Sequence, residues 1–397
     1  MNDTGQAHWR AAIATAVPFA GYSGLAMIYD ALPPILVDLA RHFGGGTAGQ
    51  SVAQFAGTLP FFGVMVGGLA SASLINRWGL RSPLLAALAA FGIMGSTGYV
   101  IDVAWQLLLT RFLLGLATGV MLTCCATYVA IRYDHVTRTR FNGWLMAWGC
   151  FTGIVFVLIS GYVASAMSWR APFLLHLVVA LAFLAPALCM ENLIAERESG
   201  ARSLRDDLRE LEPAIPAYLT AFGLFTVQTF FFFQLTFLLS SSGFGDPTLI
   251  GRNFAITGVA TTASAIAYSI WGPRFDPRHV AAVGLGMVGT GVALAALSNS
   301  LPGYALAVCV YGAGGAVTQA ALFTRVMLVS SATLAPRALG LVTTSLYFGG
   351  TIGPVILAPL LWYIDLRNIF LLLASAIAVW LIGAAGRRRL LGVELKG

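Results

Sequence analysis

Residues 74–83 read LINRWGLRSP and residues 270–279 read IWGPRFDPRH, two short basic interruptions in an otherwise apolar chain. Arg77 and Arg81 flank Gly79 in the first, and Arg274 and Arg278 flank Asp276 in the second. Both arginine pairs are displaced by the same step, 274 − 77 = 278 − 81 = 197, close to half of the 397 residues. The same step maps Arg140 and Gly143 onto Arg337 and Gly340, Arg170 and Phe173 onto Arg367 and Phe370, Gly115 onto Gly312, and Gly153 onto Gly350. With ten arginines in residues 1–200 and twelve in the remaining 197, random placement gives about 0.6 coincident pairs (10 × 12/197). Four occur without a gap, so the chain is read as an internal duplication.

What is duplicated follows from composition. Apolar residues make up 58% of the chain and charged residues 10%, against roughly 25% charged in soluble domains. That is too little charge to clothe a water-soluble surface, and stretches such as 84–101 and 285–297 read as segments dissolved in lipid. Twelve spans are expected, near 11–40, 47–75, 83–101, 104–131, 140–166, 170–190, 214–241, 248–272, 280–298, 302–330, 338–363 and 366–386. Backbone polar groups in hydrocarbon must bond within their own segment, so the spans are helices, with no alternating barrel pattern. The first span has no small-residue cleavage site behind a short apolar core and is expected to be a retained helix rather than a signal peptide.

The chain divides into 1–190, an N-terminal six-helix bundle, 191–213, a polar cytoplasmic linker, and 214–397, a C-terminal six-helix bundle. An even number of spans per half gives both halves one orientation, so the bundles are related by a pseudo-twofold axis along the membrane normal, with binding near mid-membrane between them. Arginines crowd alternate loops, among them Arg77, Arg81, Arg132, Arg138, Arg140, Arg274, Arg278 and Arg337, while the opposite loops hold Arg41, Arg170, Arg252 and Arg367. The positive-inside bias places both termini in the cytoplasm of a multi-pass plasma (inner) membrane protein. It also accounts for the net charge of +7 without a nucleic-acid partner. Five cysteines lie in apolar runs without C-x-x-C spacing and are read as buried thiols, with no metal and no cofactor expected.

At the loop 72–81, ASLINRWGLR resembles the G-x-L-x-D-R-x-G-x-R motif of the major facilitator superfamily, with Ala72 for the first glycine and Asn76 for the aspartate. RFLLGLATG matches R-x-x-x-G-x-x-x-G at Arg111, Gly115 and Gly119, WRAPF at 169–173 resembles the start of the family's sixth helix, and YDALPPILVDLA at 29–40 resembles the first helix of its drug:proton antiporters. The antiporters' fifth-helix G-x-x-x-G-P is represented by Gly149 and Gly153 with Ile154 in place of proline, while GGTIGP at 349–354 carries the proline form in the eleventh span. The resemblance implies a transporter working by alternating access, in which Asn76, Arg77, Gly79 and Arg81, with Arg274 and Arg278 as their counterparts, form a conformational latch. Plain topological anchoring is the alternative reading of these arginines.

Of sixteen acidic residues only Asp30 falls well inside a span. A carboxylate at depth is costly unless paired and is a functional candidate by default. Its expected partner is Arg111, about 9 Å into the fourth span, so Asp30 and Arg111 are read as a proton-coupling pair, or else as a static bridge. His176 is read as an interfacial histidine. The family's central helices imply a substrate cavity lined by Tyr22, Thr118, Leu122, Trp148, Gln228, Gln234 and Gln319, with Trp144 sharing a face with Trp148. The expected function is proton-coupled efflux (antiport) of a hydrophobic or drug-like compound by a monomer. Proton-coupled uptake of a small organic acid held by Arg111 is the alternative. A lipid-modifying membrane enzyme is disfavoured, since the one acidic cluster, Asp206, Asp207, Glu210 and Glu212, is interleaved with arginines, and no G-x-x-x-x-G-K-[ST] loop is present for ATP.

Overall fold

A computed structural model describes Trp9 and residues 12–192, 212–330 and 335–390. The described residues form twelve long helices in the expected order: α1 (Val17–Asp30, resumed as Leu36–His42), α2 (Gly46–Trp78), α3 (Arg81–Ser96), α4 (Ala104–Arg132), α5 (His135–Ala166), α6 (Leu175–Cys189), α7 (Ile215–Ser241), α8 (Pro247–Trp271), α9 (Pro277–Leu297), α10 (Leu301–Val329), α11 (Ala335–Leu357) and α12 (Leu366–Leu390). Among the described residues eleven are long and apolar enough to cross a membrane. The twelfth, α3, contributes about 24 Å, and the 3-10 turn Thr97–Tyr99 about 6 Å more, together near the thickness of the hydrocarbon layer. Most of the linker, with Asp206, Asp207 and Glu210 of its acidic cluster, lies outside the described residues.

The duplication survives at the level of single atoms. Arg170 donates through Nη1 to the Tyr99 carbonyl (3.1 Å) and through Nη2 to Asp102. Its counterpart Arg367 donates through Nη1 to the Ala296 carbonyl (2.6 Å) and through Nη2 to Asn299 (2.7 Å). Positions 99 and 296, and 102 and 299, stand one 197-residue step apart. The Arg170 hydrogen bond holds the Asp102 carboxyl below the usual carboxylate range; the second copy makes the same clasp with a neutral amide.

Small residues set the helix spacing. Gly115 on α4 meets the Pro60 carbonyl of α2 so closely that a Cβ would overlap it, and Gly312 on α10 meets the Thr257 carbonyl of α8, the equivalent atom one step on, with a Cβ at 2.8 Å. The C-terminal half starts its helices with capping side chains followed by proline: Asp246 accepts from the Leu249 N–H (3.0 Å), Asp276 from the Arg278 N–H (2.8 Å) and Ser300 from the Gly303 N–H (3.3 Å).

Helix α1 departs from the expected continuous span. Pro33 and Pro34 carry no N–H and cannot continue the α-helical ladder, so the helix stops at Asp30 and passes through a 3-10 turn, Pro33–Ile35. The Ile35 N–H turns to the Leu32 carbonyl, and the Ser160 hydroxyl of α5 donates to the freed Ala31 carbonyl. The break is thereby satisfied and anchored to a neighbouring helix.

The halves meet along α5 with α8 and α2 with α11. Gly251 packs on the Val157 carbonyl, with a Cβ at 2.8 Å, Gly161 packs on that of Pro247 (2.6 Å), and Thr248 donates to Ser165 (2.9 Å). These close approaches lie toward the arginine-poor end of the bundle.

Candidate functional site

Where helix α1 breaks, the Asp30 carboxyl projects toward α5. A Cβ added at Gly153 would fall on Asp30 Oδ2, so glycine at 153 is what leaves space for the acid. Asp30 lies within electrostatic reach of Tyr29 and of Cys150, and Cys150 is paired with Thr262 of α8 in the other half. Tyr29 in turn faces Tyr311 of α10, whose hydroxyl donates to the Gln228 carbonyl (2.9 Å). Polar groups from α1, α5, α7, α8 and α10 therefore converge on one level. Tyr22, Asp30, Gln228, Gln319 and Tyr347 are half-buried, and Tyr22 is a neighbour of Tyr347 across the halves.

The expected Asp30–Arg111 pair is not formed. Arg111 is 2% exposed and gives Nη2 to the carbonyls of Met94 (2.8 Å) and Gly95 (2.9 Å) on α3, while its guanidinium lies 4.9 Å from the Phe173 ring centroid. Similar depth along two helices did not imply a shared azimuth: Asp30 faces α5, and Arg111 faces away from the centre, toward α3 and α6. His176 is buried rather than interfacial, with Nδ1 on the Phe173 carbonyl (3.0 Å) and its ring 5.3 Å from that of Phe91.

Other expected cavity residues divide. Tyr22 packs against Gly149 of α5, and Leu122 is half-buried against Gly21 of α1. Thr118 is fully buried and bonded to the Leu114 carbonyl (2.9 Å), and Gln234 is fully buried with no hydrogen-bond partner for its amide, so neither opens onto the cavity. Trp148 donates to Ser23 (2.8 Å) and lines an apolar groove of about 520 Å³ between α1, α5 and α6 instead of the centre. Trp144 is exposed on the outside of the bundle.

At the level of Asp30 and on either side of it, aromatic rings seal the junction of the halves, with Phe254 lying toward the arginine-poor end. Tyr29 stacks on Phe232 at 4.1 Å, Phe232 meets Phe254 edge-on at 4.5 Å, and Phe61 approaches Phe225 (5.7 Å) and Tyr347 (6.1 Å). The run FFFF at 230–233 carried this signal as a concentration of aromatics, but only packing shows that these rings join the two halves. Replacing Phe232 by Ala removes two of these contacts from the sealed arrangement. The expected result is a shift of roughly tenfold or more toward a state open at this end. A distance measurement between labels across that end reads it, and unchanged distances would refute the seal.

The two loops of the sequence repeat solve one turn differently. Gly79 adopts φ +73°, with the Arg81 N–H donating to Asn192 Oδ1 (3.0 Å) and Asn192 Nδ2 donating to the Trp78 carbonyl (3.3 Å). A side chain at 79 would collide with Asn192. Asp276, at the equivalent position, instead caps α9. Asn76 and Arg77 are exposed, Arg77 lies 5.3 Å from the Trp78 ring, and Arg274 and Arg278 are exposed; the partners described for the first loop are Trp78 and, at the start of the linker, Asn192, and neither is from the second half.

A family model for the Major Facilitator Superfamily matches residues 18–251. No curated protein matches the chain. Among solved structures it is similar to the nucleoside transporter NupG (TM-score 0.74, 12% identity, 94% of this chain and 98% of that one). It is also similar to a D-xylose-proton symporter (0.73, 14%, 93% and 95%). A third is a bacterial homolog of the human lysosomal transporter Spinster in an inward-facing, unoccupied conformation (0.68, 14%, 89% and 82%).

Proposed function

Because the chain belongs to the major facilitator superfamily and has its transporter fold, we propose that it exports a hydrophobic or weakly polar compound in exchange for protons, with Asp30 carrying the proton. The observation that carries this reading is the placement of one acid, without an ion-pair partner among the described residues, at the break of α1 where polar groups of both halves converge. An ionised carboxylate at this depth favours an arrangement that hydrates it, whereas a protonated one tolerates enclosure. Moving a proton on and off Asp30 thereby biases the two states, and a substrate binding one of them better biases the same equilibrium reciprocally. The aromatic surroundings favour a substrate with a large apolar surface. We read the aromatic seal as the closed outer gate of an inward-facing state, in a monomer in the plasma membrane with both termini cytoplasmic. Arg77, Arg81, Arg274 and Arg278 would approach one another only when the opposite end closes.

A second reading, proton-coupled uptake, draws on the similarity to a D-xylose-proton symporter. Its original form, an organic acid held by Arg111, is disfavoured because the guanidinium is turned away from the centre. Proteoliposomes separate the two. With an imposed pH gradient, antiport accumulates a hydrophobic probe on the side from which protons leave, and symport on the side into which they flow. Accumulation independent of the gradient would refute proton coupling in either form.

A further inference from the structure

Arg111, whose guanidinium has no counter-charge, borders a small cavity, about 10 Å³, between α1, α2, α4 and the start of α6. Its walls are apolar, from Met27, Ala31, Ile35, Ala56 and Leu114, except for Arg111 and His176. Three observations on this cavity point the same way. Arg111 is buried and its Nε has no hydrogen-bond partner, so a permanently charged residue of the cavity lining has one N–H left unused. Among the described residues no carboxylate forms an ion pair with Arg111, whose partners are two neutral carbonyls and the Phe173 ring. Pro172, Phe173 and His176, at the N-terminal end of the fifteen-residue helix α6, share the lining and bring the positive end of its dipole to the same space.

A buried charge without a counter-charge is costly, and an orphaned donor adds to that cost. The cavity is of the size that holds one water-sized particle, and the polar side chains lining it are Arg111 and His176, the latter with its Nδ1 edge already committed to the Phe173 carbonyl. We propose that this cavity binds one small monovalent anion, of which chloride is the physiological example, as the counter-ion of Arg111. The anion accepts from Nε, neutralises the guanidinium, and ties α4 to α6 beside the break in α1. This site is distinct from the Asp30 centre and does not depend on which way substrate moves.

The test uses the full chain in lipid nanodiscs, with sodium chloride exchanged for sodium gluconate at constant ionic strength and pH. The thermal midpoint is expected to rise with chloride, by about 2 °C at roughly ten times the dissociation constant. Bromide should substitute and sulfate should not. Ala56→Val adds two methyl groups to the cavity lining and leaves Arg111 unchanged, and should abolish the chloride dependence, as should Arg111→Met. Broadening of the ³⁵Cl resonance by the wild type, absent in Ala56→Val, gives a readout that does not rely on unfolding, which matters if Arg111→Met folds poorly. Equal midpoints in chloride and gluconate overturn the proposal and leave the cavity to a water. A chloride effect that survives in Ala56→Val overturns it equally, as surface screening only.

Discussion

Asp30→Asn is expected to lower proton-driven accumulation by more than about tenfold while leaving substrate exchange, with no pH gradient, within about twofold of wild type. Asparagine keeps the size of the side chain beside Gly153 but cannot take up or release a proton. If Asp30 served only to shape the end of α1, both activities would fall together; no such joint loss is expected, because the break is held by Pro33, Pro34 and the Ser160 bond to Ala31 and not by the carboxyl. The split between driven transport and exchange is therefore the diagnostic quantity. Undiminished accumulation in Asp30→Asn would remove Asp30 from the coupling mechanism. The companion change Gly153→Ala places a methyl on the carboxyl oxygen and should disturb both activities, since it displaces the acid from its position.

Gly115→Ala should be among the most damaging single substitutions in the chain. The added Cβ would overlap the Pro60 carbonyl oxygen and lie 2.7 Å from that residue's carbonyl carbon and Cα, all backbone atoms that can move only by separating α2 from α4. Gly63, Gly67 and Gly119 make equally close approaches along the same seam, so the helices cannot part locally. Small residues provide helix contact in lipid, where no hydrophobic drive favours association. Overpacking of this kind costs about 3 kcal/mol or more, and it is read as a lost folded yield in gentle detergent and a lower thermal midpoint. Gly312→Ala, the same substitution in the second copy, meets Thr257 O at 2.8 Å and the side-chain Thr257 Cγ2 at 2.9 Å, both farther than the Pro60 oxygen is from position 115, and should cost less. Gly143, with nothing within 4 Å of its added Cβ, is the control and should tolerate alanine. Equal behaviour of all three variants would show that the seam does not set helix spacing.

Helix count, order and duplication were legible because they depend on one-dimensional quantities. Span length answers to the thickness of the hydrocarbon layer, and the 197-residue step needs only identities along the chain. The third span is the instructive case: at sixteen helical residues it is marginal by length, and it reaches across by adding a 3-10 turn. The prolines at 33 and 34 were equally visible and specify the break in α1, although the expected span ran through them. The structural equivalence of Asp102 with Asn299, and of Pro60 with Thr257, follows from the same step.

The sequence by itself determined which helices exist, that they form two copies of one bundle, and that a single acid lies deep within them. Only the tertiary structure decided where the side chains at that depth point. Rise along a helix is 1.5 Å per residue whatever the neighbours, but the direction of a side chain around the helix depends on which helices stand beside it and how each is rotated. That rotation is why Asp30 meets Gly153 instead of Arg111, why Arg111 settles on the carbonyls of α3, and why Trp148 faces a groove outside the centre. Depth is a property of one segment; partnership belongs to the packing of several.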